Sequence, residues 1–498
     1  MGIVEKQGVR NTILSYLGVI IGYVNVVLLF PAFFTTEQFG LIQLLISSSV
    51  IYAQLSQIGI VNAITRFFPF FRTEDKKHNG FITLIIFISL FGFLICTVLF
   101  IIFKPLIVDA YKENSSLFLD YFYILIPLSF ITILFNILEA LARAIYRTVF
   151  STLLREVGIR ILTTFFIIIY IFKIINFDAF VYSYLLSYFL CALLILVQLI
   201  ISKEYSLIVN TKYIQKEQLA DILKYGGFTL LSSASLLIGT RVDGLILGSM
   251  VNLSIVGVYF TFLYIATVIN IPNRSLAKIT VPIIANLWKE NNVKEINSLY
   301  KKTSLILLSL GMLIYISIVV NERNLLFMLR NKPEFVNNFI IFYIIGFTYV
   351  FDASFSLSSD IISNSPRYKY ESLFNVILLL SSIIFNIIFI SLYGSIGAAI
   401  SIFVSYSLFN IIKLVFVKRK FGINILTFKH LYVIFIGSIV YVVGIIIPFL
   451  FNLIVDLVLR SAIVLILYLF LIYIFKVSED VNNKIEGYLK IIFKIKKD

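Results

Sequence analysis

Residues 81–103 read FITLIIFISLFGFLICTVLFIIF, a stretch with no charged side chain. A helix through it is apolar on every side and longer than the roughly 20 residues a bilayer core requires. Backbone amides inside lipid must be bonded within a helix or a closed barrel. A barrel strand would alternate apolar and polar over about ten residues, and this stretch does not. It is therefore a membrane-crossing helix. Reading outward the same way marks fourteen candidate spans: 12–34, 41–63, 81–103, 119–141, 152–174, 177–201, 227–249, 255–273, 304–320, 336–359, 372–393, 395–416, 431–451 and 456–475. The fold class expected is an all-α polytopic membrane protein with about fourteen spans.

Composition agrees. Of 498 residues, 60% are hydrophobic and 13% charged, and the mean hydropathy is +1.01. Soluble chains run at roughly 45–50% apolar and about 25% charged. A soluble multidomain enzyme, a disordered chain and a disulfide scaffold are excluded. Cys96 and Cys191 lie in apolar runs, and His78 and His430 lie apart from other ligand types. No metal-ligand or nucleotide-binding motif is present, so no cofactor, no metal and no enzymatic activity are expected. The first apolar run is too long for a signal peptide and reads as a retained first span.

The net charge of +15 has a topological reading. With the N-terminus in the cytoplasm, 33 Lys and Arg fall inside, 7 outside, and Arg241 within a span. This is the positive-inside bias, so the charge requires no nucleic acid. It predicts a multi-pass membrane protein with both termini cytoplasmic. The basic tail from Val477, with Lys484, Lys490, Lys494, Lys496 and Lys497, is expected on the anionic inner surface.

Short matches recur at a near-constant offset. Phe39-Gly40-Leu41 returns as Val256-Gly257-Val258, Ser187-Tyr188-Phe189-Leu190 as Ser405-Tyr406-Ser407-Leu408, and Tyr146-Arg147-Thr148 as Tyr368-Lys369-Tyr370, at offsets of 217, 218 and 222. The offset covers six spans, and an even number keeps the repeat parallel. The domains expected are a six-helix lobe (1–202), a cytoplasmic linker (203–226), a second six-helix lobe (227–420), two appended helices (421–476) and the tail (477–498).

Two stretches carry a family resemblance. One is VPIIANLWKENNVKEINSLYKKT, with Pro282, Ala285, Leu287, Glu295, Leu299, Tyr300 and Lys302. The other is RVDGLILGSMVNLSIVGVYF, with Asp243, Gly248, Gly257 and Tyr259. Together with the 6+6+2 pattern, they resemble the polysaccharide transporter branch, Wzx-type O-antigen flippases, of the multidrug/oligosaccharidyl-lipid/polysaccharide flippase superfamily. The resemblance implies a V-shaped pair of pseudo-symmetric lobes. An undecaprenyl-pyrophosphate-linked oligosaccharide would pass between them from the inner to the outer leaflet by alternating access, serving surface polysaccharide synthesis. A proton or sodium ion is the implied counter-ion, polymerase and export proteins are the partners considered, and a monomer is expected. A lipid II flippase and a multidrug antiporter share the fold. A membrane polymerase or ligase would carry a large outer loop, and no loop here is that long. A scaffold that transports nothing would not need Arg241 in lipid.

A charge at mid-membrane costs roughly 2.5–3.5 kcal/mol on insertion scales, so it is a functional candidate by default. Arg241 is the foremost candidate for lipid-linked phosphate, because a guanidinium meets phosphate oxygens and stays ionised. Asp243 is two residues on, and the two point about 200° apart on a regular helix. Arg66 and Arg274 end spans two and eight, helices that the resemblance places at the cleft; Arg10 is a lesser candidate. Asp352, with Asp360 two turns further, is an ion-coupling candidate alongside Asp243. Glu139 and Arg143, at i and i+4, are expected to neutralise each other. Phe67-Phe68-Pro69-Phe70-Phe71 reads as an interfacial aromatic belt. Pro31, Pro127 and Pro448 are expected to kink spans one, four and thirteen.

Overall fold

A computed structural model describes residues 3–75, 77–202, 207, 216–425, 427–449 and 452–477. The basic tail beyond residue 477 and most of residues 203–215, the first part of the expected linker 203–226, lie outside the described residues. Among the described residues every regular element is a helix. Twelve helices are long and apolar enough to cross a membrane, and thirteen when the bent pair Ile340–Phe355 and Leu357–Ser363 counts as one. The expected fifth span does not qualify by length and apolarity. It is built from Thr148–Leu153, a π-helical turn Leu154–Gly158 and Ile159–Ile171, and it carries Arg155, Glu156 and Arg160.

The chain forms two compact units, Met1–Thr261 with Leu379–Ser395, and Phe262–Leu378 with Ile396–Asp498. In the first, helix Leu125–Ala144 packs against Thr36–Ser56, Ile60–Phe71 and Phe177–Ile201. Its core includes Phe68, Phe81, Leu138 and Ile195. The tight turn before Thr36 is set by a capping box: Thr35 Oγ1 accepts from Gln38 N at 3.1 Å, and Gln38 Oε1 accepts from Thr35 N at 3.0 Å. Glu139 pairs with Arg155 at 2.5 Å rather than with Arg143. The π turn brings Arg155 round to it, a geometry that i, i+4 spacing does not foresee. Of the aromatic run, Phe68 and Phe71 are core and Phe70 is exposed.

Helices in lipid gain little from hydrophobic exclusion and associate through close packing, often at small residues. The first unit shows this where the repeat-related glycines meet each other. A Cβ on Gly40 would lie 1.8 Å from the Leu253 carbonyl oxygen, and one on Gly257 would lie 2.2 Å from that of Thr36. Beside them Thr36 Oγ1 and Ser254 Oγ share a 2.5 Å hydrogen bond. We expect Gly40→Ala and Gly257→Ala each to lower stability by about 1–3 kcal/mol through overpacking. Thermal unfolding of the purified protein reads this. Gly227→Ala, on a helix with open space around the new methyl, is the control and should not destabilise; equal losses at all three sites would refute the seam.

In the second unit, helix Val293–Val319 packs against Ile340–Phe355, Phe428–Ile446, Ile271–Lys289 and Leu453–Ile474, with Met312, Ile316, Val440 and Val464 in the core. Arg460, inside the expected span 456–475, is buried within helix Leu453–Ile474. Its guanidinium bonds Asp456 at 2.9 and 3.1 Å and the carbonyls of Gly444, Ile447 and Pro448 at 2.8, 3.1 and 3.2 Å. Asn324 Nδ2 donates to the same Asp456 at 2.6 Å. Pro448 kinks no span: helix Phe428–Ile446 ends before it, and it belongs to the turn that Arg460 holds.

Candidate functional site

Helix Lys216–Gly239 stops at Thr240, and a new helix, Val242–Met250, starts with Arg241 as its N-cap. The backbone at Arg241 has φ −132° and ψ −14°, outside helical values. The 200° separation from Asp243 therefore does not apply. Asp243 is buried and accepts from Gly244 N at 3.0 Å and from the Tyr259 hydroxyl. Arg241 is half-buried and makes no ion pair among the described residues. It acts electrostatically on the Tyr184 phenol, and so does Arg160. The ring of Tyr188 lies 5.4 Å from that of Tyr184.

Arg160 is held from behind. Its Nη1 donates to Glu156 Oε2 at 2.8 Å. Its carbonyl accepts from Asn25 Nδ2 at 3.0 Å and Thr164 Oγ1 at 2.8 Å, and Thr164 also bonds Asn25 Oδ1 at 2.7 Å. Both partner helices are π-wound here, at Val24–Leu29 and Leu154–Gly158. Gly18 leaves room for the guanidinium, since a Cβ there would meet Arg160 Nη1 at 2.4 Å. Two guanidiniums within electrostatic reach of a hydrogen-bonded pair of phenols suit a phosphate: the charge attracts it, and one hydroxyl of the pair is left to donate. Arg160 falls inside the expected span 152–174, and that position is the signal by which the sequence marks it.

The other cationic candidates lie elsewhere. Arg66 is exposed and stacks on Tyr225 at 4.4 Å and Phe67 at 5.6 Å. Tyr225 precedes Arg241 by sixteen residues, about 24 Å along a helix, so Arg66 and Arg241 do not share one point. Arg274 is exposed on the second unit.

The second unit holds a separate polar network. Asn410 Nδ2 donates to Asp352 at 2.9 Å. Lys413, with no exposed side-chain surface, donates to Glu371 at 2.7 Å and Ser359 at 2.5 Å and sits 3.6 Å from the Phe409 ring centroid. Asp352 and Asp360 act on the same ammonium electrostatically. The network straddles the 41° bend after Phe355, where Ser356 Oγ donates to Asn273 at 2.7 Å. Lys413 falls near the end of the expected span 395–416, and the helix continues past it to Phe421.

The family described as "Polysaccharide biosynthesis protein" matches residues 6–288. The chain belongs to the polysaccharide biosynthesis protein family. It is similar to the capsular polysaccharide biosynthesis protein CapF of Staphylococcus aureus, 27% identical over 191 residues, 38% of this chain. That match spans about half of the relative's length, 48%. Among solved structures, the lipid II flippase MurJ in its inward closed conformation has a TM-score of 0.72 at 16% identity, covering 94% of this chain and 98% of its own. A multidrug resistance MATE family transporter of the MOP superfamily, inward-facing, has a TM-score of 0.66 at 16% identity, covering 82% and 94%. At these identities the likeness shows the fold: this family member is a multi-pass membrane protein with the flippase and MATE transporter architecture.

Proposed function

We propose that the chain is a flippase that moves an undecaprenyl-pyrophosphate-linked oligosaccharide from the inner to the outer leaflet of the bacterial cytoplasmic membrane, for surface polysaccharide synthesis. The observation that carries this reading is Arg241, a cation in the break of a membrane helix with no ion pair among the described residues. An unpaired charge at that depth only destabilises unless an anion visits it. The pyrophosphate is that anion, and Arg160, Tyr184 and Tyr188 complete its first resting place. Arg66 and Arg274 would attract it at the inner face. The two six-helix repeats would alternate access, with a proton or sodium ion exchanged at the Asp352–Lys413 network. Asp243 serves by anchoring the Arg241 break to Tyr259.

The test uses purified protein in vesicles carrying a fluorescent undecaprenyl-pyrophosphate-linked disaccharide. The protein should accelerate exposure of inner-leaflet label to an external quencher. No acceleration with this lipid, alongside acceleration of lipid II, would transfer the reading to a lipid II flippase.

A further inference from the structure

The first unit contains a cavity of about 420 Å³ between helices Thr36–Ser56, Phe81–Ile102 and Lys104–Tyr111, closed by Leu245 of Val242–Met250. Leu55, Tyr52, Cys96, Phe100 and Tyr111 line it with Leu245. Its two phenols are already bonded, Tyr52 to Thr97 Oγ1 at 2.6 Å and Tyr111 to the Leu245 carbonyl at 2.9 Å. A buried water needs two to four polar partners; beyond the bonded phenols the wall offers one further hydroxyl, Ser48, among otherwise apolar residues. At the roughly 30 Å³ that a water-sized group fills in a liquid, the space holds on the order of fourteen methylene-sized groups. Its rim opens where Leu99 and Phe103 are 46% and 50% exposed, on a helix suited to face hydrocarbon. The occupant is therefore a hydrocarbon chain.

Which chain follows from what adjoins the cavity. Leu245 comes four residues after Arg241, one turn along the same helix. The turn after helix Lys104–Tyr111 is latched to the same helix, through Ser115 Oγ to the Gly248 carbonyl at 2.5 Å and Asn114 Nδ2 to that of Ser249 at 2.8 Å. An apolar groove next to an intramembrane guanidinium matches an anion joined to a hydrocarbon tail. Aromatic walls, with Tyr52 and Phe100 ring centroids 5.4 Å apart, suit flat, methyl-branched double bonds. We propose that this groove seats the phosphate-proximal isoprene units of the polyprenyl carrier while its phosphate faces Arg241. This rests on the flippase reading and adds where the tail is held.

The test measures binding of three phosphates to the full chain in phosphatidylglycerol nanodiscs. Farnesyl phosphate has three isoprene units, dimethylallyl phosphate has one, and dodecyl phosphate has a straight chain. Cys96→Phe and Leu55→Phe each fill the groove, and thermal unfolding identifies which variant folds. Partition into the bilayer is the same for wild type and variant, so the farnesyl-to-dimethylallyl affinity ratio reports the groove. The filled variant should lower that ratio about tenfold, which is about 1.4 kcal/mol, because the loss for the single unit of dimethylallyl phosphate is smaller than that for the three units of farnesyl phosphate. Arg241→Gln should weaken both prenyl phosphates equally. An unchanged ratio with normal dimethylallyl binding overturns the groove and leaves the flippase reading standing. A tenfold drop for dodecyl phosphate as well makes the occupant any lipid chain and overturns the prenyl assignment. Failure of all three to bind wild type overturns the groove and the flippase reading together.

Discussion

Replacing Arg241 with Gln should cut surface polymer export roughly 10- to 100-fold, since a hydrogen bond to a charged group contributes about 1.5–3 kcal/mol and each 1.4 kcal/mol is about tenfold. The protein should still accumulate in the membrane. No carboxylate is orphaned by the change, because Asp243 keeps its bonds to Tyr259 and Gly244. Asp243→Asn should not alter this outcome. Blots of surface polymer and of the membrane fraction read both quantities. A low level of the Arg241→Gln protein, restored by adding Asp243→Asn, would mean that the two form a structural pair. Normal export by a stable Arg241→Gln protein would remove this residue from the mechanism.

Lys413→Met should instead deplete the protein. Breaking a buried ion pair by removing one partner costs about 3–5 kcal/mol. Glu371 would lose its ammonium at 2.7 Å, with Asp352 and Asp360 close by. Adding Glu371→Gln removes the orphaned charge and should restore the level. The double variant then separates two roles. If the network couples an ion to transport, the protein accumulates but its export no longer responds to proton or sodium gradients in vesicles. Wild-type export with an intact gradient response would make the network a packing device.

The membrane architecture was legible in the sequence because lipid imposes a simple rule. Uncharged runs such as 81–103 have no other stable form, and their helices appear where the runs do. Charges near the ends of runs were read less well. Lys413, Arg160 and Arg460 fall inside the candidate spans 395–416, 152–174 and 456–475 but near charged or polar ends, which hides them; Arg160 and Arg460 find a carboxylate four residues earlier, and Lys413 finds Glu371 on another helix. Arg241 was found because it stands alone among apolar residues. The break that presents it was not, since Gly239-Thr240-Arg241 carries no proline and no strong stop signal. The π turns that bring Asn25 to Arg160 and Arg155 to Glu139 were also invisible. A one-residue excess in a helix leaves no trace in composition.

The Asp456–Arg460 pair bears on how the polypeptide enters the membrane. An ionised side chain raises the free energy of insertion, by about 2.5–3.5 kcal/mol at the centre of a helix and by less toward its ends. Asp456 and Arg460 lie one turn apart on one helix, so they neutralise each other as soon as that helix forms. Leu453–Ile474 can leave the translocon alone. Lys413 and Glu371 sit on different helices, and neither is neutralised until Lys369–Tyr393 and Ser395–Phe421 are side by side. Pairing favours release of those two helices together, as a hairpin, while the last helix of the chain can follow in its own time.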